Sequence, residues 1–332
     1  MTSAEGASGL EVRRAGPEDE AGILALAAQT LGWGDDERFA ELYRWKHDRN
    51  PFGSSPRWVA VDDGTVVGFR VLLRWRFGRG DSTTVDAVRA VDTATAPSHQ
   101  GKGIFRRLTT IAVDDLRDEG VHFVFNTPNE QSRPGYLRMG WIELGRPPMA
   151  VVPRLTSVRK IARARASAEL WSTPTDVGVP ALTFFERSEI HDLLGRQRAD
   201  PGIWRTDRTP AFLQWRYGLE PLHYRVLSTE DLGIGGPLGA VVFRLRRRGD
   251  ALEAAIVDVL ATDPTQRRKL VRAVRPATGA DYALLARHAL VDPALAVPLP
   301  NLGPLVTWRS LAMTREPVLA HFAFSLGDLE LF

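Results

Sequence analysis

The 332-residue chain has no cysteine. That excludes a disulfide framework, thiolate zinc sites and any nucleophile or covalent intermediate on sulfur. Histidine is sparse, and its seven copies show no paired ligand spacing, so no metal centre is expected. There is no apolar run of about 18 residues, and the N-terminal Met-Thr-Ser-Ala-Glu-Gly-Ala-Ser-Gly has no basic region followed by an apolar core. Neither a membrane partner nor an export signal is expected, and the composition is compatible with the cytoplasm. An excess of one charge is also missing: 43 basic residues face 40 acidic ones, and a net +3 does not by itself imply nucleic acid. The length fits two domains, each able to bury its own core.

The most informative stretch runs from Val88 to Trp141. An apolar strand, Val88–Thr95, leads through Ala96-Pro97 into a glycine loop, Ser98-His99-Gln100-Gly101-Lys102-Gly103. Helical spacing follows at Ile104, Leu108, Ile111, Ala112 and Leu116, and Gly120 ends it before a second strand, His122–Asn126. This order is a βαβ unit with parallel neighbouring strands and a right-handed crossover. The helix starts at the glycines, where unpaired N–H groups and the helix dipole favour an anion and small residues let it approach. Lys102, Arg106 and Arg107 add fixed charge, so a pyrophosphate is the expected ligand.

After the second strand come Asn126-Thr-Pro-Asn129-Glu130-Gln-Ser132-Arg-Pro-Gly-Tyr136-Leu-Arg-Met-Gly140-Trp141. The stretch resembles the GNAT superfamily of acyl-CoA-dependent N-acyltransferases. Asn129, Ser132, Tyr136, Gly140 and Trp141 fall on that family's Asn-x-x-Ser/Ala-x-x-x-Tyr-x-x-x-Gly-Phe/Trp motif. Gly101 and Gly103 fit its Gln/Arg-x-x-Gly-x-Gly/Ala phosphate loop, with Ser98 standing where Gln or Arg is usual.

The resemblance implies acetyl-CoA as co-substrate. Val91, Thr93, Ala94 and Thr95 would lie along it, with His99, Gln100, Gly101, Lys102, Gly103, Ile104, Phe105 and Arg106 around its phosphates. Asn129 and Ser132 complete the expected cofactor set. It also implies that Tyr136 is the general acid. Amide-forming transfer needs a neutral amine, a stabilised oxyanion and a protonated leaving thiolate, and a phenol is protonated at neutral pH. Asp92 or Glu130 would take the amine's proton, directly or through water.

Earlier in the chain, Leu10–Arg14 reads as a strand, Pro17–Glu20 opens a helix, and a second helix covers roughly Asp36–His47. Arg57–Val61 and Thr65–Arg76 form a hairpin around Asp62-Asp63-Gly64. In the family such early helices help wall the acceptor site. Tyr43, Trp45 and Trp75, with Asn126, are therefore candidate substrate contacts, and core packing is the plainer role for each aromatic.

Ile142–Val152, broken at Pro147-Pro148, is expected to close a first domain over 1–153. A basic linker, 154–175, follows with Arg154, Arg159, Lys160, Arg163 and Arg165, read as a solvated helix. A second domain, 176–332, repeats the pattern: Trp215 lies on Trp45, Arg216 on Lys46, Tyr217 on His47, Pro221 on Pro51, and Ile256-Val-Asp258-Val on Ala90-Val-Asp92-Thr. Its loop position, Asp263-Pro-Thr-Gln-Arg-Arg-Lys269, has no glycine, and no second tyrosine motif follows. The C-terminal run Phe322–Phe332 alternates like a strand. If it reached the amine, Asp328, Glu330 or the terminal carboxylate of Phe332 would act as base.

The expected fold is mixed α/β, with two tandem GNAT-like domains, each a twisted mixed sheet flanked by helices and only the first with an acyl-CoA site. The expected partner is a small-molecule amine such as an amino sugar, an aminoglycoside-like compound or a biosynthetic intermediate, and a homodimer is left open. Aminoacyl transfer from charged tRNA and a non-catalytic acyl-CoA-binding regulator are the alternatives.

Overall fold

A computed structural model describes residues 9–157, 167–197, 202–286, 297–299 and 302–330. The leading residues 1–8 and most of the basic stretch, including Arg159, Lys160, Arg163 and Arg165, lie outside them, as does Phe332. The described residues fall into two compact units: those within 9–76, 85–143 and 307–316 form the first, and those within 77–84, 144–306 and 317–330 the second.

In the first unit, β1 (Glu11–Arg14), β2 (Arg57–Asp62), β3 (Thr65–Gly78), β4 (Thr84–Thr95) and β5 (Phe123–Asn126) are successive neighbours in one sheet. Pairing is antiparallel for β1–β2 and β2–β3 and parallel for β4–β5. The crossover between the parallel strands is α3 (Ile104–Asp118), which follows α1 (Glu20–Thr30) and α2 (Arg38–Asp48) in the chain. Because β-strand side chains alternate, each face of the sheet carries its own apolar set. Ile104, Leu108, Ala112 and Leu116 of α3 pack with Trp58, Leu72, Val88 and Val124. Ile23, Leu26 and Tyr43, from α1 and α2, pack with Val59, Phe69 and Val71. A short helix, α4 (Arg133–Arg138), precedes β6 (Ile142–Gly145).

The strand beside β5 is not β6. Residues Val306–Ser310 occupy that place, antiparallel to β5 with Thr307 opposite Asn126 and Trp308 opposite Phe125, and β6 lies beyond them.

The second unit repeats the arrangement with its own strands, β7 (Met149–Pro153), β8 (Val179–Pro180), β9 (Arg205–Thr206), β10 (Arg225–Ser228), β11 (Ala240–Arg248), β12 (Ala251–Leu260), β13 (Tyr282–Ala286) and β14 (Val297–Leu299). Its sheet runs β14-β7-β13-β12-β11-β10-β8, while β9 pairs with the end of β3 at Phe77 and Gly78. Helix Pro264–Thr278 joins the parallel pair β12–β13 as α3 joins β4–β5, and its Leu270, Val271 and Val274 pack on Phe243, Ile256 and Leu285. Val306–Ser310 is β15. Beside each parallel pair, then, stands a strand from the other half of the chain: β15 next to β5, and β7 next to β13.

This corrects the expected division at residue 153. Met149–Pro153 pairs with β13 and β14 and belongs to the second sheet. The expected terminal strand is also absent among the described residues. Leu326–Leu329 is a helical turn whose start is capped by Ser325 accepting from the Asp328 N–H.

Candidate active site

The loop before α3 is shaped by two glycines in the left-handed region, Gly101 at φ 77° and Gly103 at φ 75°. A β-carbon at either would meet no atom within 4 Å, so the backbone angle, not crowding within the protein, requires glycine there. Gly103 is the N-cap of α3 and no side chain caps the first-turn N–H groups. Lys102, Arg106 and Arg107 stand exposed around that end. Open amides, a helix dipole and three cations form a cradle that fits a diphosphate.

Upstream of the loop, β4 and β5 part. Their parallel register covers only Ala87–Arg89 against Phe123–Phe125, and Val91–Thr95 continue half-buried without β5 beside them. On the other side this end of β4 is fixed to β3, where Thr93 Oγ1 donates to the Phe69 carbonyl at 2.9 Å. The gap leaves one edge of the β4 backbone able to pair with amide groups of an extended ligand.

The turn after β5 places the tyrosine. Asn129 Oδ1 accepts from the Ser132 N–H at 2.8 Å, starting α4, and Gly140 at φ 88° ends it so that the Trp141 N–H reaches the Tyr136 carbonyl at 3.2 Å. Tyr136 is buried, its ring 5.4 Å from Phe105 of α3 and 5.2 Å from Trp141. The phenol oxygen accepts from Arg70 Nη2 at 2.8 Å.

The acetyltransferase (GNAT) domain family matches residues 11–143, the span that holds the loop, the strand gap and the tyrosine. Residues 11–143 are a GNAT acetyltransferase domain. Solved structures of similar fold include a probable N-acyltransferase from Enterococcus faecalis V583, with 12% identity and a TM-score of 0.65 over 91% of this chain and 73% of that one. A GCN5-related N-acetyltransferase from Anabaena variabilis gives 14% and 0.63 over the same shares, 91% and 73%. Eis1 from Mycobacterium abscessus gives 13% and 0.58 over 91% and 74%. At such identities the likeness is one of fold alone. No curated protein matches the sequence.

Within the GNAT domain the expected site residues separate into two groups. Val91, Thr93, Ala94, Thr95, Gln100, Gly101, Lys102, Gly103 and Arg106 line the strand end, the loop and the helix start. His99 is tied there by bonds of 2.9 Å to Asp62 and to Ser98. Ile104 is a core residue under the helix start and Phe105 packs on Tyr136. Asn129 and Ser132 bond to each other and build the turn.

The second group is buried. Tyr43, Trp45, Trp75 and Asn126 are each at most 5% exposed. Tyr43 belongs to the α1–α2 core, Trp75 packs against Phe125, and Asn126 accepts from Thr307 Oγ1 at 2.6 Å. The three aromatics thus take the plainer of their two expected roles, core packing, and Asn126 is tied to β15. Glu330 belongs to the second unit, where its carboxylate is held by Arg244 at 2.9 Å and by Arg246, and Asp328 there accepts from Thr206 and Arg208.

Asp92 is fixed by two residues of α2, Lys46 Nζ at 2.6 Å and His47 Nε2 at 2.8 Å. Burial alone would raise its carboxyl, but the Lys46 ammonium and the His47 bond outweigh that and hold it well below the usual carboxylate range. Burial pushes the His47 imidazole down to about 4, with Lys46 adding to the effect. Neutral His47 thus donates through Nε2 to Asp92 and accepts through Nδ1 from Ser55 Oγ, 2.9 Å away. A carboxylate held that low is a weak proton acceptor, which sets Asp92 as a pin between α2 and β4. The Glu130 side chain is 84% exposed, with Arg133 at 3.9 Å its one ionic neighbour among the described residues.

The sequence reading missed Arg70, which the structure sets against Tyr136. Its signal was available: it is the one charged residue in the apolar run Val66–Leu73.

Proposed function

We propose that this protein is an N-acetyltransferase that moves the acetyl group of acetyl-CoA directly to a primary amine of a small molecule. The observation that carries the reading is the alignment, along one domain, of the uncapped glycine-loop helix, the gap between β4 and β5, and buried Tyr136 against Phe105. In this reading the α3 N-terminus and its cations hold the diphosphate, and the free edge of β4 pairs with the pantetheine amides. The amine attacks the thioester carbon, and Tyr136 gives its proton to the sulfur as the C–S bond breaks. Glu130 or water takes the proton lost by the amine. With no cysteine in the chain, transfer passes through no acyl-enzyme on sulfur. The second unit keeps the GNAT-like strand order without the loop glycines and serves as a scaffold.

The test is thiol release from acetyl-CoA over a panel of amino sugars, aminoglycosides and a lysine peptide, with wild type and Tyr136→Phe side by side. Amine-dependent release that falls by about 10²-fold in the variant is expected. A wild type that does not bind acetyl-CoA would overturn the reading.

A further inference from the structure

Arg70 is fully buried on β3, and among the described residues no carboxylate pairs with it. Its guanidinium lies 5.4 Å from the Phe105 ring centre and 5.2 Å from that of Tyr136. One nitrogen, Nη2, donates to the Tyr136 oxygen at 2.8 Å, while Nε and Nη1 are buried with no hydrogen-bond partner among the described residues. Burying a cation is costly unless something offsets the lost hydration, and two aromatic faces with one neutral acceptor do so only in part. A core that needed only volume here would be served by leucine or methionine. The position therefore calls for an anion that exists at some stage of the protein's work.

We infer that Arg70 is the positioning residue for Tyr136, fixing the phenol so that its own hydrogen is left to donate and holding the phenolate that donation leaves behind. The inference rests on the acyltransfer reading above. A phenol oxygen that accepts from a guanidinium cannot turn its proton toward that guanidinium, so the O–H points away from Arg70. As the thioester C–S bond breaks, the Tyr136 O–H bond breaks and an S–H bond forms, giving free thiol and a phenolate. That anion sits in contact with Arg70 in a water-poor core, where a charge-assisted hydrogen bond is stronger than a neutral one. A proton from solvent then restores the phenol.

The experiment is a double-mutant cycle of Arg70→Met and Tyr136→Phe, with Arg70→Lys beside them, reading kcat and KM separately on the amine that wild type accepts. Arg70→Met is expected to lower kcat by about tenfold to a hundredfold with KM for acetyl-CoA within about threefold. Arg70→Lys recovers part of the loss. The double variant is expected to be no slower than Tyr136→Phe alone, because Arg70 acts only through the hydroxyl. Circular dichroism and coenzyme A binding establish that each variant is folded. Losses that multiply in the double variant, or a kcat unaffected by Arg70→Met, overturn this inference while leaving the acyltransfer reading in place. A wild type that binds acetyl-CoA but releases no thiol with any amine overturns both.

Discussion

His47 Nε2 lies 2.8 Å from Asp92 Oδ2 in the first unit, and the second unit repeats the relationship with Tyr217 Oη donating to Asp258 Oδ2 at 3.2 Å. The helix residue changes from imidazole to phenol and its neighbour from Lys46 to Arg216, yet the link from helix to central strand persists. It persists where the glycine loop and the tyrosine motif do not. A contact kept in the unit without the chemistry is explained by architecture: each central strand is pinned at the point where its parallel neighbour departs.

That pin carries a pH signature. His47 is neutral when folded because burial pushes it down to about 4, whereas an exposed histidine in the unfolded chain titrates near 6.5. Between those values the unfolded state binds the extra proton, so stability falls as pH drops from about 6.5 to about 4 and flattens below, where both states are protonated. Asp92, held low by Lys46 and His47 once its own burial is overcome, adds a loss at still lower pH, as acid protonates the unfolded carboxylate and then the folded one. Urea unfolding across pH 4–7 should show a fall on the order of 3 kcal/mol attributable to His47. His47→Gln should be less stable at pH 7 and flatter over that window; an equal slope in both proteins would show that His47 does not carry it.

How much of this was legible in the sequence depended on whether the cause was local. The hairpin at Asp62-Asp63-Gly64, the start of α3 at Gly103 and its end near Gly120 were readable because turn and cap chemistry act over a few residues. The repeat was readable because Trp45 and Trp215 stand at matching points of two helices. The places of β7 and β15 were not, since short apolar strands such as Met149–Pro153 and Val306–Ser310 suit either sheet and the choice of partner is made by long-range pairing. Side-chain burial depends on the same long-range pairing. Tyr43, Trp75 and Asn126 have the chemistry of ligand contacts as well as of core residues, and their burial is legible only in the fold. Glu330 has the chemistry of a base, and its pairing with Arg244 and Arg246 is set from strand β11, far away in sequence.

Gly103 separates backbone strain from ligand approach. Gly103→Ala forces a β-carbon into the left-handed region and should cost about 1 kcal/mol of stability without a collision. Gly120, at φ 80° with equally open surroundings, supplies a control at the other end of α3. Both variants should lose similar stability in denaturant melts. Titration with coenzyme A should find about tenfold weaker binding for Gly103→Ala, worth about 1.4 kcal/mol, and wild-type affinity for Gly120→Ala. Equal loss of affinity in the two would place the diphosphate elsewhere than the α3 N-terminus.

The exchange of strands makes a prediction about folding. A fragment of residues 1–153 holds every motif residue of the GNAT domain but lacks β15, so the edge of β5 is left open and Asn126 loses the 2.6 Å bond from Thr307. Trp308, 1% exposed beside Phe123, goes with it, while β7 is retained without β13. An open apolar edge and an unsatisfied buried amide both disfavour the native sheet and invite association. The fragment should therefore aggregate or melt without a cooperative transition. Appending residues 304–316 through a flexible linker should restore a cooperative melt, because it returns the missing strand and its Thr307 donor. A monomeric 1–153 fragment that melts cooperatively and binds coenzyme A as tightly as the full chain would mean that β15 is dispensable to the sheet it completes.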